Sequence, residues 1–236
     1  MPTDSVAAIV VAGGSSRRMG FDKLWADLHG RPVFLHSLAT LQASPDISHI
    51  VLVTPASASA SNREAFQKAT RPLDKVRDVI SGGTERHLSV WAGLQTLHSL
   101  APAWVAVHDA ARPLLSARDL AAVISAARIH GAAALAQPVA DTLKRADADQ
   151  FVHESLSREH LWAMQTPQVF SYPRLVAAYQ RLLAAGELVT DEVSAVAKTG
   201  DRVKLVPVQD YNFKVTFSCD IELARLALTS PLQPKN

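Results

Sequence analysis

The amino-acid sequence predicts an α/β fold, in which a mostly parallel sheet is flanked by helices. Short uninterrupted apolar runs, typical of strands buried on both faces, alternate with helical patterns up to residue 138. This alternation favours parallel strands joined by helices. A length of 236 residues is enough for one full hydrophobic core, so a single domain over 1–230 is expected.

The predicted elements each have a local reason. Apolar runs predict strands at 6–11, 50–53, 75–80, 104–107, 132–136 and 203–208. The run at 75–80 is the weakest of these candidates. Helical spacing of apolar residues, or a helix-start signal, predicts helices at 33–41, 84–100, 116–129, 173–185, 191–198 and 219–228. Pro32 suits a first turn, and Ser116 with Asp119 has the spacing of a capping box. Thr84 and Ser218 are the expected caps of their helices.

The alternation breaks after Pro138. From about 139 to 160 the chain is polar and charged without sustained apolar periodicity, which indicates an excursion from the main sheet rather than a second domain. The last residues, 231–236, include two prolines and are expected to form a flexible tail.

Charge and cysteine content exclude several classes of function. The sequence has 24 Lys and Arg against 22 Asp and Glu, and a net charge of +2 provides no general field for nucleic acid or an acidic membrane. An anionic ligand would therefore need a few placed cations. The single cysteine, Cys219, excludes a disulfide framework and a thiolate-rich zinc cluster. Because no leader pattern and no run of ~18 apolar residues is found, the expected location is the cytoplasm.

The segment after the first strand has the composition of an anion site. Small residues at 12–16 let backbone N–H groups approach a ligand, at the sheet edge where such folds bind ligands. Arg17, Arg18 and Lys23 then place three cations within seven residues, which suits a polyphosphate. The spacing is neither a Walker A loop nor G-x-G-x-x-G. The alternative is a Gly/Ser turn followed by a solvated basic face.

A second polar segment, 108–113, follows another buried run at the same edge. The carboxylate of Asp109 suits Mg²⁺, a hard cation that takes oxygen ligands and phosphates together. The alternative is an ordinary loop ion pair with Arg112.

Three further features each allow a structural and a functional interpretation. Gly82 and Gly83 can approach a flat ligand, or they can simply form a turn. Thr190 as a cap and the two acids that follow it fit a helix start, which explains them without any function. Lys214 stands among apolar residues, where a lysine is mildly out of place.

Five segments, in this order and spacing, resemble the 2-C-methyl-D-erythritol 4-phosphate cytidylyltransferase family over about residues 6 to 228. They are His-Asp-Ala-Ala-Arg-Pro at 108–113, Asp-Thr-Leu-Lys-Arg at 141–145, Gln-Thr-Pro-Gln at 165–168, Thr-Asp-Glu at 190–192 and Lys-Val-Thr at 214–216. The resemblance implies a Rossmann-like nucleotidyltransferase fold with an arm, about 139–160, that hooks around a second subunit to make a homodimer.

The same resemblance implies a reaction. A phosphate oxygen of the sugar-alcohol phosphate attacks the α-phosphorus of CTP and pyrophosphate leaves, assisted by Mg²⁺ or another divalent cation. The implied partners are CTP, the alcohol phosphate and a second copy of the chain, with no nucleic acid and no membrane.

The resemblance also assigns residues to roles. Catalytic roles, in holding the triphosphate and stabilising its developing charge, go to Arg18, Lys23 and Lys214. The residues implied in nucleotide binding are Ala12, Gly13, Gly14, Gly83, Thr84, Ser89 and Asp109, of which Asp109 is also the implied metal ligand. The residues implied in alcohol-phosphate binding are Arg112, Thr142, Arg158, Thr166 and Thr190, with Thr142 coming from the partner's arm.

Three alternatives remain open at this point. A ribitol-5-phosphate cytidylyltransferase shares most of these motifs. Ser16 and the short stretch from Met19 to Lys23 depart from the common first motif, and the pattern from Gly13 to Lys23 looks like the opening of molybdenum-cofactor guanylyltransferases, although the 108–113 and 214–216 motifs point away from them. A nucleotide-sensing dimer is the non-enzyme alternative, and the joint presence of Arg18, Lys23, Asp109 and Lys214 argues against it.

Overall fold

The computed structural model describes residues 4–13 and 22–229, which are built around one large sheet. Its strands are β1 (Val6–Val11), β4 (Ile47–Thr54), β5 (Val76–Ser81), β6 (Trp104–Asp109), β7 (Ala132–Pro138), β10 (Trp162–Ser171) and β11 (Lys204–Pro207). Two small sheets pair β2 (Asp27–Leu28) with β3 (Arg31–Pro32), and β8 (Leu143–Ala146) with β9 (Val152–Leu156). The spatial order of the large sheet is β11-β7-β10-β6-β1-β4-β5.

Helices cover both faces of this sheet. They are α1 (Val33–Ala43), α2 (Ala60–Thr70), α3 (Arg86–Thr96), α4 (Ala117–His130), α5 (Tyr172–Ala184), α6 (Glu192–Ala197) and α7 (Ser218–Thr229), with a 3₁₀ turn at Lys23–Trp25. One apolar layer takes Phe34 from α1 and Val123 from α4, and the opposite layer takes Leu94 from α3 and Tyr179 from α5. The predicted α/β fold with a mostly parallel sheet is therefore confirmed.

The register of the central strands determines where polar residues can gather. β1 pairs in parallel with both β4 and β6, so that Val11 lies opposite Val53 on one side and Asp109 on the other. All of β1 is buried and apolar, as expected for a central parallel strand. Residues that follow β1 and β6 therefore emerge side by side at one edge of the sheet.

Some local predictions were wrong. Thr84 does not cap α3, because that helix begins at Arg86 and Glu85 occupies its N-cap position. Thr190 is likewise not the cap of α6, since Asp191 accepts the capping hydrogen bond from the backbone N–H of Ser194. The cap at Ser116 is confirmed, with Asp119 as its backbone donor.

Strand β10 and helix α2 were not predicted at all. β10 runs antiparallel between β6 and β7, and its pairing with β7 shifts register between Met164 and Gln168. A proline at 167 lies inside that shift, and proline within a run argues against a central strand when only the sequence is considered.

The excursion at 139–160 contains an exposed β-hairpin of β8 and β9. Phe151 and Val152 near its tip are 72% and 66% exposed. The described residues contain no helix long and apolar enough to cross a membrane. The tail predicted at 231–236 lies outside the described residues.

Candidate active site

Residues from five parts of the chain meet where β1 and β6 end. They line a small cavity, to which the end of β1, the 3₁₀ turn, the start of α3, the end of β6 and the segment at 214 all contribute. The lining residues are Val11, Ala12, Gly13, Lys23, Leu24, Arg86, Asp109, Ala111 and Lys214. The edge of the sheet predicted to bind a ligand thus carries both the small residues and the charges that the sequence placed there.

The carboxylate of Asp109 is the centre of the cluster. Its Oδ2 accepts a 2.8 Å hydrogen bond from the Nζ of Lys214, and its Oδ1 accepts one of 3.1 Å from the Nε of Arg86. The Nε of Arg112 lies 3.9 Å from Oδ2. With Lys23, four cationic side chains of the described residues therefore gather around this buried acid.

Burial and the neighbouring positive charges shift the pKa of Asp109 in opposite directions. Burial alone would raise the pKa of the carboxyl, but the charges of Arg86 and Lys214 outweigh it and hold the pKa well below its usual range. The group is therefore an anion at any physiological pH. It fixes the position of Lys214, whose side chain remains 41% exposed and can meet a ligand from solvent.

Arg86 is bound by a second carboxylate as well. Its two outer nitrogens donate to Glu192 at 2.7 and 3.1 Å, a bidentate pair, and the hydroxyl of Tyr179 donates to the same carboxylate at 3.0 Å. Burial would lower the pKa of Arg86, but Glu192 and then Asp109 raise it above the usual value. The guanidinium is thus held between two carboxylates that belong to different elements.

Lys23 lines the same cavity, although it belongs to the segment that follows β1. Asp22 caps the short 3₁₀ turn by accepting a hydrogen bond from the backbone of Leu24, and Lys23 opens that turn. Its Nζ donates a 2.8 Å hydrogen bond to the carbonyl of Val215, the residue after Lys214. The two lysines to which catalytic roles were assigned therefore lie on one cavity wall.

The glycines near the cavity differ in what surrounds them. A Cβ on Gly83 would lie 2.3 Å from the Cβ of Leu88, so that glycine is required by packing alone. A Cβ on Gly13 would make only ordinary contacts, 3.6 Å from the Oγ of Ser89. Ser89 itself accepts from the backbone N–H of Gly83. Packing among the described residues therefore explains Gly83, whereas it leaves Gly13 unexplained.

A chain of buried hydrogen bonds holds the backbone of Asp109 through Thr166 and His108. The hydroxyl of Thr166 accepts from the backbone N–H of Asp109 at 3.0 Å and lies 3.0 Å from the Nδ1 of His108. Burial lowers the pKa of His108 to about 4, so the ring is neutral, and its Nε2 faces the carbonyl of Arg112 at 3.3 Å. Nε2 therefore carries the proton, and the hydroxyl of Thr166 donates to Nδ1.

Arg112 is held by backbone groups as well as by Asp109. Its guanidinium donates to the carbonyl of Asn212 at 2.8 Å, while the Asn212 side chain donates to the carbonyl of Thr166 at 2.9 Å. These bonds tie the segment before Lys214 to strand β10. Arg112 is thus oriented in advance and cannot swing freely to meet a ligand.

Other predicted site residues either do not line the cavity or lie outside the described residues. Thr142 and Arg158 are exposed on the 139–160 excursion, where Arg158 donates to the carbonyl of Ala140. Thr190 is exposed just before α6, and Thr84 is exposed just before α3. Gly14 and Arg18 are not among the described residues. Of the residues implied in alcohol-phosphate binding, Arg112 and Thr166 contact Asp109, whereas Thr142, Arg158 and Thr190 do not line its cavity.

Sequence reasoning missed Arg86 and Glu192 as members of the site. In the sequence, Arg86 stands three residues after Gly83 and Glu192 is one of two acids at a helix start, and neither pattern indicates a site. The two lie 106 residues apart, and their pairing depends on how α3 and α6 pack. Glu192 is fully buried in the fold, and its position in the sequence does not indicate that burial.

The donor set of the site sets limits on any bound metal. No cluster of three or more His, Cys, Asp or Glu side chains suited to a metal ion is found in the described ranges. Each oxygen of Asp109 accepts one hydrogen bond and has further lone-pair capacity, so the carboxylate can still serve as a single ligand. This donor set fits Mg²⁺, which is commonly held by one or two carboxylates together with substrate phosphates.

Comparisons with known proteins agree with one another. The family model described as 2-C-methyl-D-erythritol 4-phosphate cytidylyltransferase matches residues 6–230. A protein of that name from Symbiobacterium thermophilum is 40% identical over 225 residues, covering 94% of this chain and 92% of its own length. One from Dechloromonas aromatica is 42% identical over 226 residues, with 94% and 96% covered.

Solved structures give the same result. The 4-diphosphocytidyl-2C-methyl-D-erythritol synthase of Anaerococcus prevotii superposes with a TM-score of 0.82 at 28% identity, covering 97% of each chain. The 2-C-methyl-D-erythritol 4-phosphate cytidylyltransferase of Thermus thermophilus superposes with a TM-score of 0.76 at 26% identity, covering 96% of this chain and 100% of its own. The similarity therefore extends over the whole fold.

Proposed function

The chain belongs to the 2-C-methyl-D-erythritol 4-phosphate cytidylyltransferase family, and from that premise we propose how its residues carry out the reaction. It is a nucleotidyltransferase that moves the cytidylyl group of CTP to 2-C-methyl-D-erythritol 4-phosphate. The expectation of an enzyme of this class is confirmed. The ribitol-phosphate, guanylyl and nucleotide-sensing alternatives are not favoured, since the family model and the relatives described above all point to the methylerythritol enzyme.

The observation that carries the mechanism is the gathering of cations around Asp109. Both substrates are anions, so their repulsion must be neutralised before they can align. Arg86, Arg112, Lys23 and Lys214 outnumber the carboxylates of Asp109 and Glu192 at this edge. The surplus of positive charge supports the binding of a triphosphate there.

In the reaction, the attacking phosphate oxygen forms a bond to the α-phosphorus of CTP. The bond from that phosphorus to the oxygen that bridges it to the β-phosphate breaks, and pyrophosphate leaves with its electron pair. The attacking phosphate is already ionised, so no general base is required. Lys23 and Lys214 stabilise the charge that develops on the departing pyrophosphate, a type of stabilisation worth about 10²–10³ in rate per group.

The nucleotide is proposed to lie over the end of β1. Gly13 supports this placement, because a Cβ there would make only ordinary contacts, so packing among the described residues does not require a glycine at this position. Ala12 lines the same cavity, Ser89 lies beside Gly13, and Thr84, exposed before α3, directly follows Gly83. Arg18 and Gly14, which were predicted to bind the phosphates and the nucleotide, remain predictions.

The alcohol phosphate is proposed to lie beyond Asp109, beside Arg112. Thr166 acts there chiefly by fixing Asp109, since its hydroxyl is buried and engaged on both sides. Thr190 and Arg158, both exposed, remain candidate direct contacts to the phosphate. Thr142 is proposed to reach this site from the arm of a second subunit.

Mg²⁺, when bound, supplies charge neutralisation to the phosphates of CTP. Asp109 is the residue that would hold it, and the lysine beside that carboxylate keeps the oxygen in a defined position. The metal is proposed on the donor chemistry of Asp109 and on the charge of the substrates.

We also propose that two chains associate through the 139–160 arm. The apolar side chains at the hairpin tip are exposed in one subunit, which supports their burial against another. The proposed location is the cytoplasm, where the exposed thiol of Cys219 would remain reduced.

The test is product identification. The purified protein is incubated with CTP, methylerythritol phosphate and Mg²⁺, and the products are followed by mass spectrometry and pyrophosphate release. The proposal predicts a CDP-methylerythritol and one pyrophosphate per turnover, both abolished by a chelator and restored by added Mg²⁺. Turnover that continues unchanged after complete chelation would contradict the proposed metal requirement.

A further inference from the structure

One guanidinium in the site is shared between two carboxylates that come from different elements. Arg86, the first residue of α3, turns its outer nitrogens to Glu192 at 2.7 and 3.1 Å and its Nε to Asp109 at 3.1 Å. Glu192 is fully buried at the start of α6, whereas Asp109 ends β6 beside the cavity. A buried acid that does not reach the cavity is thus linked through one residue to the acid that does.

The geometry gives Glu192 a definite effect on Asp109. A bidentate pair fixes the plane of a guanidinium, so the Nε–H of Arg86 is aimed at the Oδ1 of Asp109. Oδ2 is then left for Lys214 at 2.8 Å. Without Glu192, the outer nitrogens of Arg86 would be free to turn toward Asp109 and compete with the lysine for its second oxygen.

We propose that Glu192 is a positioning residue for cytidylyl transfer, which acts through Arg86 to hold Asp109 and Lys214 in their reactive arrangement. This inference rests on the proposed roles of those two residues. Glu192 is itself held by the hydroxyl of Tyr179 at 3.0 Å, so the chain of contacts ends in the packed helix α5. Neither Glu192 nor Tyr179 touches substrate in this arrangement.

The start of α6 does not depend on the Glu192 carboxylate. Asp191 caps the helix through the backbone of Ser194, and Gln168 bonds both the Asp191 side chain and the backbone N–H of Val193. A substitution that changes only the charge of Glu192 therefore leaves these contacts in place, and the role can be tested without removing the helix.

The first test is Glu192→Gln, which keeps the size and one acceptor oxygen but loses the charge and the second guanidinium bond. A displacement of about 1 Å in aligned reacting groups can cost about 10²-fold in rate. We expect kcat to fall about 10- to 100-fold, while KM for CTP and for the alcohol phosphate each change less than about threefold. A kcat within about twofold of the wild-type value would overturn the inference.

A control removes an ion pair far from the site. Asp46 accepts a 2.8 Å hydrogen bond from Arg128 at the opposite end of the sheet, and both side chains are partly buried. Asp46→Asn is expected to leave kcat within about twofold of wild type and to lower the thermal midpoint less than Glu192→Gln does, because Arg128 keeps its ion pair with Asp4. Equal kcat losses in the two variants would overturn the positioning role, since stability alone would then explain both.

The second test separates positioning from packing. Replacing a buried ion pair by apolar residues of similar volume often restores stability. In the double variant Arg86→Met with Glu192→Leu, we expect the thermal midpoint to recover relative to Glu192→Gln, whereas kcat stays at least about tenfold below wild type. Recovery of both together would show a merely structural pair and overturn the inference.

Failure of the proposed function would look different. In that case the wild-type protein itself would release no pyrophosphate from CTP and methylerythritol phosphate. If the wild-type protein is active and the Glu192→Gln variant is equally active, only the inference about Glu192 is contradicted. If the double variant does not fold, the single variant and its Asp46→Asn control still decide the question.

Discussion

The ammonium group of Lys23 donates a 2.8 Å hydrogen bond to the backbone carbonyl of Val215, and Val215 directly follows Lys214. The two lysines are far apart in the chain, yet this bond fixes the turn that follows β1 against the segment that carries the second lysine. Lys214 in turn is bound to Asp109 at the end of β6. The two cations are thereby presented on one side of the cavity at a set separation.

Removing either lysine is expected to lower turnover severely. Lys23→Ala and Lys214→Ala should each reduce kcat about 10²- to 10³-fold, because each removes a cation that stabilises the departing pyrophosphate. Steady-state rates of pyrophosphate release measure the effect. Lys204→Ala, which removes an exposed lysine from β11, is the control and should leave the rate unchanged. Full activity in either test variant would refute its phosphate role.

The two glycines beside the nucleotide are expected to respond differently to alanine. Gly83→Ala should destabilise the protein by roughly 1–3 kcal/mol, because the new Cβ would overlap Leu88. Gly13→Ala should leave the free energy of unfolding nearly unchanged and raise KM for CTP instead. Urea unfolding combined with CTP titration separates the two effects. An unaltered KM for CTP in the folded Gly13→Ala protein would place the nucleotide elsewhere.

Asp109→Asn is expected to reduce both activity and stability. It leaves Arg86, Arg112 and Lys214 without their shared anion, and breaking a buried ion pair on one side costs about 3–5 kcal/mol. Turnover should fall, and a higher Mg²⁺ concentration should be needed to reach the remaining maximal rate. An activity and Mg²⁺ dependence equal to wild type would remove Asp109 from the proposed site.

The contribution of Asp109 to stability should also depend on pH in one direction. Its folded pKa lies below the value of about 3.9 expected in the unfolded chain, so the stabilisation is fully present above about pH 5. It is lost as the pH falls through the folded pKa. The difference in unfolding free energy between wild type and Asp109→Asn should therefore be constant from pH 8 to 5 and narrow below about pH 4. A difference that widened with acidity would contradict this assignment.

The arm is expected to control association. Phe151→Asp should shift the protein toward monomer in sedimentation velocity, because it places a charge on the exposed hairpin tip proposed to be buried between subunits. Ile129→Asp is a close control, since Ile129 is 73% exposed on α4 against 72% for Phe151. Deletion of 144–154 should have the stronger effect. An unchanged association state in the deletion variant would end the arm proposal.

Much of the fold could be predicted because central parallel strands are buried on both faces. Runs such as 6–11 and 104–107 are continuously apolar for that reason, and the polar residues just after them had to lie at one edge. Asp109 and the glycine at 13 were found in this way. Strand β10 was not, because it carries Pro167 and polar residues at its register shift.

The ion-pair arrangement of the site could not be predicted in the same way. Asp109 contacts Arg86, 23 residues earlier, and Lys214, 105 residues later, and these contacts depend on the packing of helices and on one long loop. Glu192 is polar by composition but fully buried in the fold. Periodicity reports which face of an element is apolar, and it carries no information on which charged side chains meet.

The most direct test of the central claim is a specificity grid of nucleoside triphosphates against alcohol phosphates. CTP, UTP, ATP and GTP are each combined with methylerythritol phosphate and with ribitol 5-phosphate in the presence of Mg²⁺, and kcat/KM is measured from pyrophosphate release. We expect CTP with methylerythritol phosphate to exceed every other combination by at least about 10²-fold, a margin of about 2.7 kcal/mol in transition-state stabilisation. Preference for ribitol phosphate, or for GTP, would contradict the account.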